Sequence, residues 1–181
     1  MMATVRLEDR ADRAASIEVE RAAFGSEQEP AIVEAVRDEN GSFALVAEED
    51  GAVVGHAQFS RAWIGDTPLL CLGPIGVRPD RHGRGIGSAL MRAGLEEARA
   101  RDEVAVLLFG EPGLYSRFGF RPGVTFGVPN PYAGLPLPGG GTVREENFML
   151  AVLDDRAGSL SGEVRCHPAL TFPVEADDPA V

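Results

Sequence analysis

From Cys71 to Leu90 the chain reads CLGPIGVRPDRHGRGIGSAL, an apolar run that turns through glycines into an amphipathic stretch. Few folds accommodate such a segment. Residues 69–77 are almost uninterruptedly apolar, as expected of a strand covered on both faces. Glycines 83, 85 and 87 allow a tight turn into a helix expected from about Ile86 to Arg101. Chemically the turn is an anion cradle: glycines present backbone N–H groups without a Cβ in the way, and a helix N-terminus adds about half a positive charge. Local charge agrees. Arg78, Arg81, Arg84 and Arg92 stand against one acid, Asp80, over residues 78–92, a balance of 4 − 1 = +3 on a chain of formal charge −11. The competing reading is a turn whose glycines serve geometry alone, with Arg84 a solvated surface arginine.

Composition removes several classes of function. The acidic balance excludes a general nucleic-acid binder. All 17 Lys+Arg residues are arginine, which excludes a Walker A loop, a pyridoxal-phosphate Schiff base and a lysine nucleophile. The G-x-G-x-G spacing departs from the dinucleotide fingerprint G-x-G-x-x-G, and it follows several strands instead of the first. Cys71 and Cys166 form neither a disulfide framework nor a C-x-x-C pair. Cys71, inside an apolar strand, reads as packed and unreactive. His56, His82 and His167 occur singly, so no metal is inferred. With no long apolar run and no signal-like start, a reduced cytoplasmic protein without a membrane segment is expected.

The chain of 181 residues suits a single α/β domain. Strands are expected at 4–7, 43–47, 52–60, 69–77, 104–109, 148–153 and 162–166. Asp50-Gly51 between apolar runs marks a hairpin. A first helix is expected from a cap at Asp9 or Asp12 to Phe24, with Ala14, Ile17 and Ala22 on its apolar face. A second is expected at 31–38, and a short helix at 113–118. Residues 122–141 read as a proline- and glycine-rich loop, and 176–181 as an acidic tail.

The run His82-Gly83-Arg84-Gly85-Ile86-Gly87-Ser88 resembles the pyrophosphate-binding motif Q/R-x-x-G-x-G/A of the GCN5-related N-acetyltransferase superfamily. Downstream, Leu114-Tyr115-Ser116-Arg117-Phe118-Gly119-Phe120 is similar to that superfamily's L-Y-x-x-x-G-F signature. LGPIGV, GEPGLYSRFGF and GEVRCHPAL also resemble one bacterial subgroup of acetyltransferases. The resemblance covers about residues 4–153. It implies a mixed, mostly antiparallel sheet of about seven strands flanked by about four helices, with an acetyltransferase domain at 1–153 and an extension at 154–181.

The resemblance also implies the chemistry: transfer of an acetyl group from acetyl-CoA to a small-molecule or peptide amine, by direct attack in a ternary complex. Ile75 and Val77 would line the pantetheine arm, with the Val77 N–H polarising the thioester carbonyl. His82, Gly83, Arg84, Gly85, Ile86, Gly87 and Ser88 would hold the pyrophosphate, His82 standing where the family usually has Gln or Arg. Tyr115 matches the group that hydrogen-bonds or protonates the departing thiolate; otherwise it packs beside Phe118 and Phe120. An ordinary phenol, pKa about 10, facing a thiol of about 8.5 makes full proton transfer uphill by roughly 2 kcal/mol, so hydrogen bonding suffices as a role. A homodimer is a further implication.

The acceptor sets a harder requirement. A primary amine is neutral to about one part in a thousand at pH 7, a cost near 4 kcal/mol, so some group must take a proton. Residues 69–77 contain no carboxylate. Glu111, after the next strand, is one candidate, unless it only shapes the turn before Pro112. His56 is another, as histidine titrates near neutrality, unless it is a satisfied sheet residue; a chain of waters is the third. An acyl-CoA-binding sensor without turnover, or use of another acyl group, are the alternative functions.

Overall fold

The computed structural model describes residues 3–137 and 140–170; Gly139 and the acidic tail at 176–181 lie outside the described residues. In chain order the principal elements are β1 (Thr4–Leu7), α1 (Arg13–Phe24), α2 (Gln28–Val36), β2 (Phe43–Glu49), β3 (Ala52–Ile64), β4 (Thr67–Val77), α3 (Ile86–Ala100), β5 (Ala105–Phe109), α4 (Pro112–Tyr115), β6 (Arg121–Pro122), β7 (Phe148–Val152) and β8 (Val164–Arg165). The strand order is β1-β2-β3-β4-β5-β7-β6, with β8 on β3. This is the expected mixed, mostly antiparallel sheet, with eight strands among the described residues instead of about seven. The additional strand, β6, is two residues long and leaves no period to read.

The described residues pack as two compact units, one of residues up to 60 with 72–97, the other of 61–71 with 98–170, so β3 and β4 run through both. In the first unit β1, β2 and β3 pair antiparallel, Thr4 opposite Glu48 and Phe43 opposite Phe59. The β2–β3 hairpin turns at Asp50 and Gly51, both at positive φ (52° and 79°), the backbone that Asp-Gly accommodates. α2 starts three residues earlier than expected, with Pro30 in its first turn, where a missing N–H costs nothing.

α1 presents a different face from the one expected. Ser16, Val19, Glu20 and Ala23 are buried, while Ala14 and Ala22 are exposed. The spacing is helical, but the buried stripe contains a carboxylate, so a count of apolar residues places the face wrongly. Asp12 stands at the N-cap position without capping. Its carboxylate instead accepts from Arg6 Nη1 (2.5 Å), Arg6 Nη2 (2.9 Å) and the Asp9 amide (2.9 Å). The Arg6 hydrogen bond holds the Asp12 carboxyl below its ordinary range despite burial.

In the second unit β4 runs parallel to β5, Leu70 opposite Val106 and Cys71 opposite Leu107. β7 pairs antiparallel with β5 and β6, and β8 with the end of β3 at Trp63 and Ile64. Leu69, Cys71, Leu107, Val128, Phe148 and Leu150 build its core together with Ala157 and Leu160. Residues 154–170 are thus part of this unit's packing. Arg61 crosses to Glu103 with two hydrogen bonds, 2.7 and 2.8 Å.

Gly94 on α3 shows how closely helix and sheet meet in the first unit. A Cβ there would fall 2.2 Å from the Phe59 ring, which stacks on Phe43 at 4.6 Å and has no room to retreat. Gly94→Ala gains about 1 kcal/mol of helix propensity but overpacks a rigid stack, at roughly 1–3 kcal/mol. Net destabilisation of up to about 2 kcal/mol is expected, read as a lower urea midpoint with an unchanged slope.

Candidate active site

The first unit carries the glycine-rich turn. β4 ends at Val77, a short 3-10 turn spans Pro79–Arg81, and Gly83 and Gly85 follow at φ 73° and 78°. These left-handed conformations strain any residue bearing a Cβ. The Gly85 carbonyl accepts from the Ala89 amide (3.0 Å), so Gly85 begins α3. The amides of the first turn lie ahead of that bond, where helix geometry aims N–H groups out of the end.

His82 ties the turn to the strand. Its Nε2–H donates to the Val77 carbonyl at 2.8 Å. The side chain that departs from the family motif therefore anchors the cradle on the last residue of β4. The next amide, of Arg78, donates to Val54 on β3 at 2.9 Å. Ile75 and Val77, two apart, are both buried.

Glu49, at the end of β2, is a residue the sequence reading missed. Its buried carboxylate pairs with Arg81 Nε at 2.7 Å and stands 3.6 Å from Arg84 Nη1. One acid thus steadies both sides of the turn. Arg84 remains about half exposed, its ion pair among the described residues being that long contact to Glu49. Arg78 and Arg81 also pair with Asp80.

His56, on β3, is wholly buried, and its Nδ1 lies 2.6 Å from Glu20 Oε1 of α1. The signal that could have revealed Glu20 was present: a carboxylate on the same helical stripe as Val19 and Ala23 demands a buried partner.

The second unit holds the remaining predicted residues. Tyr115 ends α4 and is buried, its ring edge-on to Phe120 at 6.2 Å. It lies against Gly110, where a Cβ would come within 2.3 Å of the ring. Glu111 is engaged: Oε2 accepts from Arg144 Nη2 (2.6 Å) and Oε1 from Asn147 Nδ2 (3.0 Å). Asn147 also donates to the Gly110 carbonyl at 3.1 Å, and its own carbonyl accepts from the Gly110 amide at 2.8 Å. Glu111 is part of the clamp that fixes the turn carrying Tyr115.

Cys71 is buried beside Cys166. The hydrogen bond between them, with burial, pushes the Cys71 thiol well above its ordinary pKa, leaving little thiolate for nucleophilic attack. Among the described residues no group of three or more His, Cys, Asp or Glu is placed to hold a metal ion. Nor is any helix long and apolar enough to cross a membrane.

Residues 8–120 match the acetyltransferase (GNAT) family model. The chain is 32% identical over 174 residues to the uncharacterized N-acetyltransferase YjhQ of Escherichia coli K12, covering 90% of this chain and 91% of that protein. Among solved structures, it superposes on the GNAT family N-acetyltransferase YhbS from Escherichia coli in complex with CoA, with a TM-score of 0.80, 27% identity, and 98% and 97% of the two chains covered. A GNAT family acetyltransferase from Brucella melitensis in complex with acetyl-CoA gives a TM-score of 0.71 at 30% identity over 93% and 98%. With the glycine turn, the tyrosine turn and the sheet order in place, these likenesses agree: the chain belongs to the acetyltransferase (GNAT) family.

Proposed function

We propose that the protein transfers an acetyl group from acetyl-CoA to an amine by direct attack in a ternary complex. The observation that carries this reading is the turn from His82 to Ser88, with two glycines at positive φ, a half-exposed arginine and the start of a 15-residue helix. That chemistry fits a diphosphate. The CoA and acetyl-CoA complexes of the two similar structures support the same ligand for this chain.

In this reading Gly83–Ser88 hold the pyrophosphate through backbone amides, with Arg84 supplying charge and His82 keeping the turn fixed on Val77. Pantetheine adds along β4 past Cys71, beside Ile75 and Val77; among the described residues the register with β5 covers only Leu70 and Cys71. The Val77 N–H polarises the thioester carbonyl, an oxyanion donor of a kind worth about 2.7–4 kcal/mol elsewhere. Tyr115 hydrogen-bonds the departing thiolate. Glu111 is assigned to positioning that tyrosine, with proton acceptance from the amine as its competing role. Free thiol released from acetyl-CoA in the presence of an amine panel tests the reaction. Tight CoA binding without thiol release for any amine would favour a sensor, and faster release from propionyl- or succinyl-CoA would change the acyl group.

Gly85→Glu places a carboxylate against the diphosphate and a Cβ at φ 78°. Repulsion of about 4 kcal/mol between unit charges 4 Å apart at an effective dielectric near 20 corresponds to a loss of CoA affinity of at least about 100-fold. Calorimetry reads it, and an unchanged dissociation constant contradicts the cradle. Tyr115→Phe is expected to lower kcat by about 10- to 100-fold with little change in KM for acetyl-CoA. A raised KM at constant kcat would reduce Tyr115 to a packing residue.

A further inference from the structure

Glu20 and His56 are both fully buried, and a hydrogen bond of 2.6 Å joins them. They do not stand alone. His56 Nε2, on the far side of the ring, faces Glu8 Oε1 at 3.8 Å, and Arg37 Nη2 faces the same oxygen at 3.8 Å. Both separations exceed direct hydrogen-bond reach. His56 Nε2, Glu8 Oε1, and Arg37 Nε and Nη2 are buried without a hydrogen-bond partner. Two carboxylates, an imidazole and a guanidinium are buried together here, a combination costly enough to call for an explanation beyond packing.

Position supplies one. The other Glu20 oxygen, Oε2, lies against β4 where a Cβ on Gly76 would be, 2.6 Å from that point. Glycine at 76 is what admits the carboxylate. Gly76 immediately precedes Val77, the residue to which the proposed function assigns the thioester carbonyl. The cluster thus runs from the reacting end of β4, through Glu20 and the two nitrogens of His56, to Glu8, which follows β1.

We propose that Glu20 and His56 form a proton-transfer pair serving the amine acceptor, with Glu20 as proton acceptor and His56 passing the proton on behind it. The inference rests on the acetyltransferase reading above and deepens it. An ammonium R–NH3+ gives one proton to Glu20 Oε2, on the β4 side of the pair, and becomes R–NH2. The amine nitrogen bonds to the acetyl carbon, the C–S bond breaks, and the second nitrogen proton goes to the sulfur, leaving R–NH–acetyl and CoA thiol. The pair returns its proton to solvent on the Glu8 side. Among the described residues, the charged groups set around His56 are Glu20 from α1 and Glu8 after β1, with Arg37 at the end of α2 behind Glu8. Because Nδ1 is held by Glu20, Nε2 is the ring atom left to exchange a proton.

Glu20→Gln tests the pair, since the amide preserves shape but takes no proton. The assay uses acetyl-CoA with the best acceptor from a panel of a polyamine, an arylalkylamine and a lysine peptide, from pH 6.5 to 9.5. The expected result is a kcat at least about 50-fold lower at pH 7, recovering toward alkaline pH as free amine accumulates, with KM for acetyl-CoA within about twofold. Glu8→Gln, which leaves the Glu20–His56 bond intact, is expected to lower kcat about fivefold with the same pH trend, and stands in if the first variant does not fold. Wild-type kcat and pH profile in the folded variant would overturn the proposal. A loss of equal size at every pH would do so too, because a structural role predicts no pH trend. If wild-type protein binds CoA yet acetylates none of the panel, the acetyltransferase reading fails first and takes the pair with it. Wild-type turnover with an unaltered Glu20→Gln profile removes the pair alone.

Discussion

β4 and β5 run parallel, and a parallel pair cannot be closed by a hairpin; the chain must cross over and return to the starting end. Here the crossover is α3, and it begins where β4 stops. That connection puts a helix N-terminus at the carboxyl end of a buried strand, with a short turn to join them. Glycines at 83 and 85 permit the positive φ angles the turn adopts. The proposed diphosphate site takes its place from this topology before any side chain is considered, and the side chains then refine the turn. His82 fastens the turn to Val77, and Glu49 braces Arg81 and Arg84 from β2.

The electrostatics are ordered in the same direction. A chain of charge −11 repels a CoA-like polyanion at long range. The local reversal at residues 78–92 therefore matters more here than it would on a neutral chain. It is also disciplined. Arg78 and Arg81 are committed to acids, whereas Arg84 is half exposed and touches Glu49 only at 3.6 Å. Burial of Glu49 against two guanidiniums offsets the cost of removing a carboxylate from water and fixes where the remaining positive charge points.

The parts legible in the sequence were those governed by local rules. The β2–β3 hairpin announces itself at Asp50-Gly51, α3 by its period and the glycines before it, and β4 by its continuous apolar run. Rules of that kind fail where a contact between distant residues decides. Asp12 looks like a cap but is claimed by Arg6 and the Asp9 amide. The apolar count on α1 selects Ala14 and Ala22, whereas pairing of Glu20 with His56, 36 positions away, turns Ser16, Val19, Glu20 and Ala23 inward. Glu111 reads as an uncommitted acid until Arg144 and Asn147 are seen to hold it. β6 has too few residues to show a period.

If Glu20 accepts the amine proton as proposed, Glu20 and Gly76 write that catalytic requirement as a packing one. A buried carboxylate on a helix is costly unless something holds it, and an apolar residue at position 20 would fill the same stripe more cheaply. Gly76 in turn weakens a strand interior, since glycine offers no side chain to pack. Each residue is unfavourable alone, and together they let an acid touch the backbone of β4 one residue before Val77. Replacing both with ordinary core residues would satisfy every rule of helix and strand. The chain keeps a carboxylate and a glycine at this spot, with a histidine aligned behind the carboxylate, and that arrangement is the physical ground for the proposed proton transfer.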